Sequence, residues 1–293
     1  MTRRLYEKPP ATLPLYGRAV LPALPGVGSL PGVKHASDGV PDVVLERKNV
    51  SADPAHLRAY REVCGFGLRD TLPATYPHMH AFALHLALMT DTRFPFAPMG
   101  LVHLRNTIVQ HRPIGVTEPL SVAVHAEGLR PHPKGRLVDL VTVARTRGET
   151  VWEETTTLFA RGAGRGPEEA APLEGVEPPP GVVQWRLDGG LGRRYAAVSG
   201  DRNPIHLHPW TAKAFGFPSN IAHGMWTKAR CLAALENRLP GAFRVDVEFR
   251  KPVLLPTTVV LGSAPGEGGT IDFGVRGERK PVTHLVGRVT PLD

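Results

Sequence analysis

LVHLRNTIVQHRPIGVTEPLSVAV, residues 101–124, can be laid over FRVDVEFRKPVLLPTTVVLGSA, residues 243–264. Each has an alternating run, a basic residue and a proline, a short apolar turn, then a β-branched run. Alternation marks a half-buried strand, and such runs in series, broken by turns, read as antiparallel strands. A helix candidate precedes each copy: TYPHMHAFALHLALMTD (75–91) before the first and AHGMWTKARCLAALENRL (222–239) before the second. The earlier helix is apolar on nearly every face, as buried helices are. Further strands read at LVDLVTVARTRG (137–148), VWEETTTLFARG (151–162), GTIDFGVRGERKP (269–281) and VTHLVGRVTPL (282–292). A helix followed by antiparallel strands, given twice, predicts a duplicated α+β unit.

The domain plan follows. Residues 1–45 are rich in Pro and Gly and read as an extended arm. Residues 46–160 form the first copy, with a helix in SADPAHLRAYREVCGFGLRD (51–70) and Ser51 as its candidate N-cap. Residues 161–182 are a Pro/Gly/Glu-rich linker. Residues 183–293 form the second copy.

The chain has 293 residues, 2 cysteines and a net charge of +8. Cys64 and Cys231 form no CxxC pair, so a disulfide scaffold is excluded and a reducing cytoplasm is expected. No apolar run reaches the roughly 18 to 20 residues of a membrane span, and the N-terminal tract is too broken by Pro and Gly for a signal peptide. The basic residues are scattered, without the tract or interleaved aromatics of a nucleic-acid binder. An anionic, phosphate-bearing small molecule suits this charge.

The chemistry concentrates in YAAVSGDRNPIHLHPWTA, residues 195–212. Asp201 and His206 stand five residues apart around a turn stiffened by Asn203 and Pro204. Alone, Asp201 reads as a turn residue and His206 as an ordinary half-buried histidine. Together they can hold one water from two sides. The imidazole, with a pKa of about 6.5, is a natural base or proton shuttle. Such a pair titrates as a unit, which leaves open which member moves which proton. Ser199 lacks the GxSxG setting of a nucleophile and reads as a loop-bonding residue. Gly224 opens the second helix, and its amide is a candidate oxyanion donor. The first copy has no counterpart of this segment; SADPAHL, with Asp53 and His56, comes nearest. His78, His80 and His85, or His206, His208 and His223, could be imagined as zinc ligands, but no carboxylate or Cys completes a familiar spacing, and no metal is expected.

Tyr195, Val198 to Asp201, Asn203 to His206 and Ala212 match the hydratase-2 signature, and AHGM at 222–225 is similar to the segment that opens the central helix in the same family. The second copy thus resembles the MaoC-like (R)-specific enoyl-CoA hydratases and 3-hydroxyacyl-thioester dehydratases. The resemblance covers residues 187–293 closely; the first half resembles the degenerate partner domain of two-domain members. It implies a double hotdog fold, each half a long helix wrapped by an antiparallel sheet. The implied reaction is reversible hydration of a trans-2-enoyl thioester to the (R)-3-hydroxyacyl thioester. Asp201 and His206 would be catalytic, Gly224 the backbone donor and Asn203 an orienting residue. CoA or acyl-carrier protein belongs to the substrate, and no cofactor is implied. Arg250 and Lys251 are the best-placed basic pair for the substrate's phosphates, with a solvated strand end as the alternative. Met79 and Phe82 on the first helix would line an acyl pocket or simply pack the core. A homodimer is compatible with the plan. The rival readings are a hotdog thioesterase and a non-catalytic acyl-thioester-binding subunit.

Overall fold

The computed structural model describes residues 1–20, 38–162, 164, 166–167, 173, 175–181, 183–280 and 282–292. Its elements in chain order begin with β1 (Thr2–Leu5), α1 (Thr12–Val20), β2 (Val43–Val50), α2 (Pro54–Cys64), α3 (Pro77–Met89), β3 (Val102–Gln110), β4 (Leu120–His132), β5 (Gly135–Thr146) and β6 (Glu149–Arg161). They continue with β7 (Val183–Leu187), α4 (Leu191–Ser199), α5 (Pro204–Leu207), α6 (Pro209–Ala214), α7 (Gly224–Leu235), β8 (Phe243–Phe249), β9 (Thr257–Pro265), β10 (Ile271–Gly277) and β11 (Thr283–Pro291).

These elements fall into two compact units that interleave along the chain. Unit 1 comprises Met1–Ser51, Pro77–Leu104 and Glu118–Glu169; unit 2 comprises Ala52–Tyr76, Arg105–Thr117 and Ala170–Asp293. The duplication read from the sequence is visible in strand order. In unit 1 hydrogen-bonded strands run β2-β4-β5-β6, and in unit 2 β7-β9-β10-β11 runs in the same sense. In unit 2, β11 continues to β8, and β8 pairs with the Arg105–Gln110 stretch of β3.

In unit 1, α3 packs on β2, β4 and β5. His78, Ala81, Phe82, Leu84, His85, Leu86 and Leu88 are all buried, so α3 is the enclosed helix its composition predicted. In unit 2, α7 takes that place. Its Lys228 is fully buried, and its Nζ donates to the backbone carbonyls of Asn106 (3.1 Å) and Val245 (3.3 Å). An ammonium kept from water needs such acceptors, and these tie the helix to β3 and β8.

Three expectations need correction. The stretch 1–45 is not wholly an extended arm: β1 pairs in parallel with β2, and α1 buries Leu15, Tyr16 and Ala19. Pro14 reads as a breaker, but it lies in the first turn of α1, where a missing N–H costs nothing. The cap of α2 is Asp53, not Ser51; its carboxylate accepts from the His56 N–H at 2.8 Å. That helix also stops early, because Gly65 takes a left-handed conformation (φ 81°) and closes onto the Arg61 carbonyl. Finally, the Pro/Gly-rich segment is not the single boundary: the chain passes between units after Ser51, Tyr76, Leu104 and Thr117 as well as after Glu169 within that segment. α2, from the first half, packs on α4 and α7 of the second. Much of 163–174 lies outside the described residues, but Leu173 is buried, and its N–H donates to Glu248 at 2.9 Å.

Candidate active site

The site forms in unit 2, on the loop between α4 and α5 and at the start of α7. Gly200, left-handed (φ 75°), ends α4 by closing onto the Ala196 carbonyl. A chain of short-range bonds then sets the loop. Ser199 Oγ accepts from Asp201 N (3.1 Å), Asp201 Oδ1 accepts from Asn203 N (3.1 Å), and Asn203 Oδ1 accepts from Ile205 N (3.3 Å). Asn203 thereby caps α5, with Pro204 in the first turn, and α5 presents His206. Ser199, Asp201 and Asn203 each use the side chain on a nearby backbone N–H, as turn-forming residues do. Asp201 nevertheless keeps one oxygen, Oδ2, turned toward the histidines, 3.7 Å from His223 Nε2.

His206 is 8% exposed, and its Nδ1 lies 2.9 Å from the Ile221 carbonyl. A carbonyl can only accept, so Nδ1 carries the proton and Nε2 is left as the basic nitrogen. Burial lowers the pKa of His206; the nearby Asp201 charge and the Ile221 carbonyl partly restore it. His223 stacks on this ring at 3.7 Å between centroids and 24° between planes. Its Nε2 donates to the Asp201 carbonyl at 3.0 Å. Burial, then the neighbouring His206, push its pKa down to about 3, so it is neutral at pH 7. Asp201, His206 and His223 bring ligand atoms within 4.8 Å of one another, a spacing that holds a water between acid and base and would also admit a cation.

His223 is also the N-cap residue of α7, but its side chain makes no capping bond. Among the described residues, His223 thus leaves the first N–H groups of that helix without a capping side chain. Gly224 occupies the first helical position. A Cβ there would meet the Phe249 ring at 3.1 Å, so any larger residue would press α7 against that ring of β8.

The other residues singled out in the sequence are placed as follows. Arg250 is engaged by Glu248 (3.1 Å) and by the Leu173 carbonyl (2.9 Å), which makes it a clamp on the chain ahead of β7. Lys251 is exposed. Phe82 packs with Leu15, Tyr16 and Leu86 in unit 1, while Met79 is partly exposed on the same helix. His78 and His85 do share a face of α3, with ring centroids 5.2 Å apart. Tertiary folding adds the carboxylate that local spacing lacked: Glu154 lies 2.7 Å from His78 Nδ1, while His85 Nε2 lies 2.7 Å from Thr142 Oγ1.

Two residues of the site were missed. His223 entered the sequence reading only as an imagined zinc ligand; its place beside Gly224 was the available signal. Asn220 is fully buried, and its Nδ2 donates to the Gly189 carbonyl (3.1 Å) and more weakly to the His206 carbonyl (3.4 Å). It thus fixes the backbone behind the imidazole, and no motif announces it.

Comparison with known proteins agrees with this arrangement. The family described as MaoC like domain matches residues 191–271. The chain is 42% identical to 3-hydroxyacyl-thioester dehydratase X of Mycobacterium tuberculosis over 267 residues, 90% of this chain and 95% of that protein. The crystal structure of HtdX from the same organism matches with a TM-score of 0.76 at 40% identity, covering 85% of this chain and 100% of that one. A conserved hypothetical protein of M. tuberculosis with a double hotdog fold matches with a TM-score of 0.54 at 15% identity, over 83% of this chain and 93% of the other; it speaks to the fold alone. With a segment that matches the hydratase-2 signature, the duplicated helix-and-sheet plan and a relative matched nearly end to end, the chain belongs to the MaoC-like family of acyl-thioester dehydratases and hydratases and has the double hotdog fold.

Proposed function

We infer that this protein is a hydro-lyase that interconverts a trans-2-enoyl thioester and the (R)-3-hydroxyacyl thioester. The convergence of Asp201 Oδ2, His206 and His223 beside the uncapped start of α7 carries this reading. In the hydration direction a water oxygen bonds to Cβ. Its proton passes to the Asp201–His206 pair, and a proton reaches Cα as the enolate-like charge on the thioester oxygen collapses. The tautomer of His206 supports Nε2 as the group that faces this water. The Gly224 amide receives the thioester oxygen, a donor typically worth about 10²- to 10³-fold in rate. His223, neutral, braces the Asp201 backbone and the His206 ring. Asn203 holds the loop. The acyl group is carried by CoA or an acyl-carrier protein, and Lys251, exposed just beyond β8, is offered to its phosphates. A cytoplasmic setting fits the two buried free thiols, and a homodimer is checked by light scattering.

The test is a steady-state assay with crotonyl-, octenoyl- and longer enoyl-CoA. It follows loss of the conjugated-enoyl absorbance, release of free thiol and the chirality of the product. Absorbance loss with the (R)-3-hydroxy product and no thiol is expected. Thiol release without hydration would replace this reading by a thioesterase.

A further inference from the structure

The segment SADPAHL carries an acid and a histidine that the reaction does not use. In unit 2 its two residues have separate tasks. Asp53 caps α2, while the His56 ring bridges two other groups. Its Nε2 lies 2.7 Å from the Val198 carbonyl and its Nδ1 lies 2.9 Å from the Tyr76 hydroxyl. Because a carbonyl only accepts, Nε2 is the protonated nitrogen, and in the neutral ring Nδ1 accepts from Tyr76. Tyr76 is itself held, 1% exposed, with its ring edge-on to His56 (5.7 Å) and to Tyr60 (5.3 Å). Val198 belongs to the last turn of α4, where carbonyls have no partner within the helix. The next residue is Ser199, which fixes the Asp201 N–H, and α4 ends there, two residues before Asp201.

We propose that His56 is a positioning residue for catalysis: by capping α4 through the Val198 carbonyl, with its tautomer set by Tyr76, it holds the helix end that carries Asp201. The first-half segment that lacks the catalytic signature thus supports the second-half segment that has it. This rests on the hydration reading above.

The test compares His56→Leu, His56→Gln and Tyr76→Phe in the full-length protein. The Gln Nε2 can reach the same carbonyl; Leu cannot. A shift of an ångström in a reacting group can cost about 10²-fold, so kcat should fall about 10- to 100-fold in the Leu variant, with KM changed less than about threefold. The Gln variant should recover kcat to within about threefold of the parent. Adding Tyr76→Phe to the Leu variant should cause no further loss, since both act through one bond chain. Unchanged kcat in the Leu variant, equal loss in Leu and Gln variants, or additive losses for His56 and Tyr76 would each overturn the proposal. If the Leu variant does not fold, the single Gln and Phe variants decide: a near-parental Gln variant with a slower Phe variant supports it, and any other pattern overturns it. Asp201→Asn in the same assay separates the two inferences. Full activity there removes the hydration mechanism itself, whereas its loss beside an active Leu variant removes only the role of His56.

Discussion

Asp201→Asn removes one charge from the site and leaves its shape. The amide oxygen can still accept from Asn203 N, now 3.1 Å from Oδ1, so the loop should persist. Two things are lost: the anionic oxygen that faces the histidines at 3.7 Å, and the charge that raises the pKa of buried His206. A positioned acid–base group contributes about 10²- to 10⁴-fold, and at about 1.4 kcal/mol per tenfold the barrier should rise by about 3 to 6 kcal/mol. Because the bond that orders the loop survives, stability should change by less than about 1 kcal/mol. The assay is hydration of crotonyl-CoA followed by enoyl absorbance, with a melting curve on the same sample. The residual activity should also keep its basic histidine to lower pH, since the charge that favoured protonation of His206 is gone. Hydration within tenfold of the parent, with an unmoved acid limb, would refute the assignment of Asp201.

Asn220→Ala leaves the buried Gly189 carbonyl without its donor and frees the backbone behind His206; a loss of roughly 1 to 3 kcal/mol in urea unfolding, with a lower kcat, is expected. Phe82→Ala opens the cluster formed with Leu15, Tyr16 and Leu86 and should cost about 3 to 5 kcal/mol while leaving the acyl-chain-length profile unchanged. A shifted profile would place Phe82 on the acyl path instead. Stability should fall in acid. His85 and His223 have pKa values pushed down to about 3 by burial, and His206 is lowered in the same sense. Between pH about 6.5 and about 3 the unfolded chain therefore binds more protons than the native one, and each such group weakens the fold by up to roughly 1.4 kcal/mol per unit of falling pH. Denaturant midpoints measured from pH 7 to pH 4.5 should decline; a flat profile would mean that these imidazoles are solvated.

Much was legible without coordinates because it is local. The strands β3, β4, β8 and β9 were readable because side-chain alternation has the same period as the strand; their partners were not, since β4 pairs with β2 and β5, and β9 with β7 and β10, rather than with the strand just before them in the chain. Gly200, Asn203 and Pro204 announced a turn because each satisfies or sets backbone within two residues of itself. Elements at the ends of the chain were harder. In α1 the signal was hidden by Pro14, whose cost depends on its position in the helix rather than on its presence. The end of α2 at Gly65 was missed for a related reason: a left-handed cap is a statement about one dihedral, and the sequence offers only permission for it.

The sequence by itself determined the duplicated helix-and-strand plan and the single Asp201–His206 segment, since both are written in spacings shorter than one element. Only the tertiary structure decided which residues surround that segment. His223 reaches it because α7 begins beside the loop, and Asn220 because its amide meets carbonyls at Gly189 and His206. Glu154 meets His78 across 76 positions of chain, and His56 meets Val198 across 142. Such partners are chosen by packing and by the need of every buried polar group for a bond, and neither leaves a local pattern to read.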